Sequence, residues 1–89
     1  MCTYATVAAP LTGSAKGPNG TWFRVTDATV YFDHPVHALA EHTLNIDVAA
    51  PAQGPAARVA LELTAASARE LVRAIEAALA SAPLEMTAG

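Results

Sequence analysis

The hydrophobic pattern of this 89-residue chain changes period once, and that change restricts the fold more than any motif does. Up to Thr64 the apolar residues alternate. In HTLNIDVAA (42–50), Leu44, Ile46 and Val48 point one way and Thr43, Asn45 and Asp47 the other, the period of a half-buried strand. RVALELT (58–64) repeats the alternation with Val59, Leu61 and Leu63, and ATVYFDH (28–34) is β-branched, aromatic and alternating. TYATVAA (3–9) and TWFRV (21–25) are two further strand candidates, the second ending in a turn at Thr26-Asp27. From Ala65 to Ala80 the spacing becomes helical. Ala68, Leu71, Val72, Ile75, Ala78 and Leu79 share one face, and Arg69, Glu70, Arg73 and Glu76 line the other. Thr64 is the expected N-cap, without the Glu or Gln of a capping box, and Pro83 ends the helix.

Strands joined by turn-rich connections, GSAKGPNG (13–20) and PAQGPAA (51–57), and followed by one helix, predict an α+β fold. The expected architecture is an antiparallel sheet of four to five strands in a meander, with one C-terminal helix packed on one face. A single domain is expected over residues 1–82, with a flexible tail at 83–89. A chain this short buries only about 60–65% of its unfolded surface. Of its residues 53% are hydrophobic but only 6% aromatic, so Trp22, Phe23, Tyr31 and Phe32 are expected to supply much of the packing. A homodimer is therefore the expected state. The polar sheet face (Thr29, Tyr31, Thr43, Asn45, Asp47) reads either as a solvent face or as a pairing surface.

Charge narrows the partners. The net charge is −3, and the five basic residues, Lys16, Arg24, Arg58, Arg69 and Arg73, are scattered. No basic patch forms, which argues against nucleic acid and anionic membrane. No stretch approaches the roughly 20 apolar residues of a membrane span, and the N-terminus lacks a cationic start followed by an apolar run. One cysteine excludes an intrachain disulfide, so a cytoplasmic setting is expected.

The chemistry concentrates in DHPVHALAEH (33–42), which holds all three histidines and two carboxylates. Strand parity puts His34 with Val30 and Phe32, and His42 with Leu44 and Ile46, on one face at one end of the sheet. Opposite partners there have Cβ atoms about 4.5–5.5 Å apart, close enough for two imidazoles to share an ion. His37 in the loop is the candidate third ligand, and Glu41 or Asp33 a fourth ligand or a base. Such a set suits Zn²⁺, Fe²⁺, Ni²⁺ or Cu²⁺, and an open position would allow hydrolytic or lyase-type chemistry on a small molecule. The competing reading keeps the histidines structural, capping the core and bonding loop carbonyls in a non-enzymatic dimeric binding or accessory protein. Cys2 is a further candidate: removal of Met1 would leave an aminothiol, able to chelate a metal or to act as a nucleophile with its own amine as base.

The opening MCTY, the segment TGSAKG, the block ATVYFDHPVHALAEHTLNID and the run VALELTAASARELVRAIEAAL together resemble a small actinobacterial family, a domain of unknown function. The likeness spans nearly the whole chain. It implies a stand-alone bacterial protein of the cytoplasm and carries no catalytic residue with it.

Overall fold

The structure, a computed structural model, describes residues 5–34 and 42–89. Four strands, β1 (Thr6–Lys16), β2 (Trp22–Asp33), β3 (Thr43–Ala49) and β4 (Arg58–Leu63), form one antiparallel sheet in the order β1-β2-β3-β4. Helix α1 (Ala65–Ser81) follows, and a helical turn, α2 (Leu84–Thr87), lies within the expected tail. This is the α+β meander with a C-terminal helix that the change of period predicts.

Among the described residues the strands number four, because two expected elements are one. TWFRV and ATVYFDH run through Thr26-Asp27 without a turn. There Thr26 Oγ1 donates to Asp27 Oδ2 at 2.6 Å, and Asp27 pairs with Pro10 on one side and Ala49 on the other. The first strand is also longer than expected, reaching Lys16. A register shift between Pro10 and Gly13 absorbs one extra residue, and Pro10 is tolerated because β1 is an edge strand. The hairpin turn is then only Gly17-Pro18-Asn19-Gly20. The Gly20 N–H donates to Gly17 O at 3.0 Å, and Gly20 adopts φ 74°, a left-handed value that favours glycine.

Register defines two faces. Val30, Ile46 and Leu61 form one cross-strand row, flanked by Phe32, Leu44 and Leu63 and by Ala28, Val48 and Val59. Of these nine residues only Ala28 is buried. Among the described residues burial concentrates elsewhere. Val25, Ala50 and Ala57 are buried where the β3–β4 connection, with its 3-10 turn Pro51–Gln53, reaches the start of β2. Gln53 Nε2 donates to Arg24 O at 3.2 Å and the Ala50 N–H donates to Ala57 O at 3.0 Å, holding that connection down. Trp22, expected to pack, is 63% exposed, while Phe23, Tyr31 and Phe32 are half-buried.

Helix α1 forms for local reasons. The Thr64 side chain accepts from the Ser67 N–H at 3.1 Å, and the Ala82 N–H donates to Leu79 O ahead of Pro83. What differs from the expectation is the extent of its packing. The first turn meets the sheet, where Ala65, Ala68 and Arg69 line a pocket with Phe32 and Leu44. From Arg69 to Ser81 every residue is exposed. A one-residue junction, Thr64 at φ −63° and ψ 157°, joins β4 to α1.

Candidate functional site

The last rung of the β2–β3 ladder pairs Asp33 with Thr43, so His34 and His42 stand one position beyond it, facing each other. Their ring centroids lie 4.5 Å apart with the planes at 32°. His42 also stacks on Phe32, centroids 5.8 Å apart and planes within 11°. The three rings form a row at the end of the sheet, with His34 exposed and His42 half-buried. Two imidazoles bound to one tetrahedral ion through bonds of about 2.0 Å have centroids roughly 5 Å apart. The pair stands near that spacing.

Asp33 is differently engaged. Its Oδ1 accepts the His34 backbone N–H at 2.7 Å, which caps the strand end. Alternation puts its side chain on the face opposite Phe32. His37, Glu41 and Cys2 lie outside the described residues. Among the described residues no group of three or more His, Cys, Asp and Glu side chains gathers.

A second concave region lies on the other face. Tyr31, Asn45, Asp47, Arg58 and Glu62 line an open cleft of about 430 Å³. Arg58 donates from Nε and Nη2 to the same Asp47 Oδ1, at 3.1 and 2.7 Å. Hydrogen bonding to that carboxylate, then its charge, raises the guanidinium above its ordinary value. At the other end of the row Thr43 and Asn45 are buried, and Thr43 Oγ1 donates to Asn45 Oδ1 at 2.7 Å. Sequence reasoning placed Tyr31, Asn45 and Asp47 on this face but missed Arg58 and Glu62. The signal was present in the alternation of RVALELT, whose even positions continue the polar rows once Asn45 pairs with Glu62.

No helix among the described residues is long and apolar enough to cross a membrane. Comparison with curated proteins and with solved structures finds no match. A family model, described as a family of unknown function, covers residues 1–88, nearly the whole chain. The chain therefore belongs to the family of unknown function DUF6295.

Proposed function

We propose that the chain is a small cytoplasmic metal-binding protein whose site is nucleated by His34 and His42. The observation that carries this is the 4.5 Å separation of the two imidazole centroids. Imidazole is a borderline ligand, so the ion is Zn²⁺, Fe²⁺, Ni²⁺ or Cu²⁺. His37 supplies the third ligand, leaving a position at which a bound water serves hydrolytic or lyase-type chemistry. Asp33 or Glu41 is the base; Asp33 Oδ1 already accepts the His34 N–H, which leaves its Oδ2 for that role.

The stack of His42 on Phe32 favours a second reading, in which the histidines are packing groups of a non-enzymatic dimeric binding protein. One set of measurements separates the two. Untagged protein, purified without added metal or chelator, is submitted to elemental analysis and titrated with Zn²⁺. The metal reading expects near-stoichiometric binding that His42→Ala and His34→Ala each abolish while the far-UV circular dichroism stays unchanged. A protein that arrives metal-free and takes up no Zn²⁺, Ni²⁺ or Cu²⁺ at micromolar concentration overturns it. His42→Ala would then cost only stability, about 0.5–1.5 kcal/mol for the lost ring stack on Phe32.

A further inference from the structure

Among the described residues, two apolar surfaces lack a cover. One is the sheet face built on the row Val30, Ile46 and Leu61, with Leu61 43% exposed. The other is the apolar side of α1, where Val72, Ile75 and Leu79 are 55%, 51% and 57% exposed. We infer that two copies of the chain associate by exchanging α1, each helix laying its apolar side across the partner's sheet face.

Complementarity points to a second copy. A sheet face of this kind is covered by a helix or another sheet, and an amphipathic helix needs an apolar surface to lie on. Each chain carries one of each, so a two-fold axis satisfies all four surfaces with a self-complementary contact. The dimensions agree. A helix of 17 residues is about 25 Å long, enough to cross four strands spaced about 4.8 Å apart. The rows on that face contain no charged residue, and the helix keeps Glu70, Arg73 and Glu76 off its apolar side, while Arg69 lies at the rim beside Phe32 and Leu44 and stays exposed.

The surface area supports the same occupant. The chain exposes 6713 Å², whereas a compact protein of 9.1 kDa exposes about 4,900 Å². The excess, roughly 1,800 Å² per chain, gives roughly 3,600 Å² for two copies, within the 2,000–5,000 Å² buried by obligate homodimers. The radius of gyration agrees: 14.6 Å, against about 12 Å for a compact chain of this length.

Sedimentation equilibrium of the full chain tests the association, and cross-linking tests the exchange. The expected mass is twice 9.1 kDa, and Ile75→Asp weakens association by roughly 10- to 100-fold, the loss of one buried aliphatic side chain. Because Ile75→Asp can also unfold the protein, a second measurement leaves the interface intact. Leu61→Cys and Ile75→Cys chains, each also carrying Cys2→Ser, are co-expressed and treated with a short bismaleimide. The expected product joins a Leu61→Cys chain to an Ile75→Cys chain. A monomeric mass overturns the inference, and so does cross-linking confined to like pairs, which would mean sheet against sheet or helix against helix. Neither readout depends on metal, so the imidazole site and the exchanged helix fail separately.

Discussion

Strand β3 and helix α1 carry apolar residues in equally regular patterns, yet they meet opposite environments. In β3, Thr43 and Asn45 are buried and the other five residues are half-buried. In α1 no residue is buried. The reason lies in the backbone. A strand satisfies its N–H and C=O groups only on neighbours, so β3 exists because β2 and β4 flank it. A helix satisfies its own, so α1 is defined by its cap and its spacing before it touches anything. Regular periodicity therefore identifies an element without identifying what covers it. A helix of this length alone in water is marginal, so the difference is itself a reason to look for the second copy.

Matched substitutions on the two elements give the largest effects and the sharpest contrast. Ile46→Asp, in the middle of the apolar rows, is expected to cost about 3 kcal/mol or more, lost side-chain burial plus the cost of placing a charge there, read as a fall in the urea midpoint. Val72→Asp on α1 is expected to cost nearly as much, because a partner's sheet covers it. An uncovered helix would tolerate that change within about 0.5 kcal/mol, and such a result would break the exchanged arrangement while leaving the sheet as described. Thr43→Val comes next. It removes the donor to Asn45 Oδ1 at a fully buried position and is expected to cost about 1–3 kcal/mol by the same denaturation.

Smaller effects sharpen the comparison at the junction and at the surface. Thr64→Ala removes the acceptor for the Ser67 N–H and is expected to cost about 1 kcal/mol, with a loss of far-UV helical signal that the sheet does not share. Arg58→Ala should change stability by less than about 1 kcal/mol, since the Arg58 side chain is 55% exposed in its pair with Asp47. The guanidinium is raised by that pair. A raised cation contributes fully below its ordinary value and loses the contribution only above it, so the difference between wild type and Arg58→Ala should stay constant from neutral pH to moderately alkaline pH.

The fold was largely legible because its signals are local. Alternation in 42–50 and 58–64 marked β3 and β4 within a residue or two, alternation in 28–34 marked the second half of β2, and the spacing from Ala65 marked α1. The errors fell where a local signal had two meanings. Gly13 reads as a loop residue but serves a bulge in an edge strand, and Thr26-Asp27 reads as a turn but lies inside β2. At the candidate site, parity alone put His34 and His42 on one face. The stack of His42 on Phe32 and the use of Asp33 Oδ1 by the His34 N–H required coordinates, because both depend on ring orientation and a strand-end bond.

The order of periods along the chain was enough to determine an antiparallel sheet followed by a helix, since short connections allow little else. The register that sets Glu62 beside Asn45 and Arg58 near Asp47 was decided by the tertiary structure. So was how little of α1 is covered: Ala65, Ala68 and Arg69 line a pocket with Phe32 and Leu44, yet every residue from Arg69 to Ser81 is exposed. Hydrophobic periodicity records which residues leave water; only three-dimensional packing decides what they meet when they do.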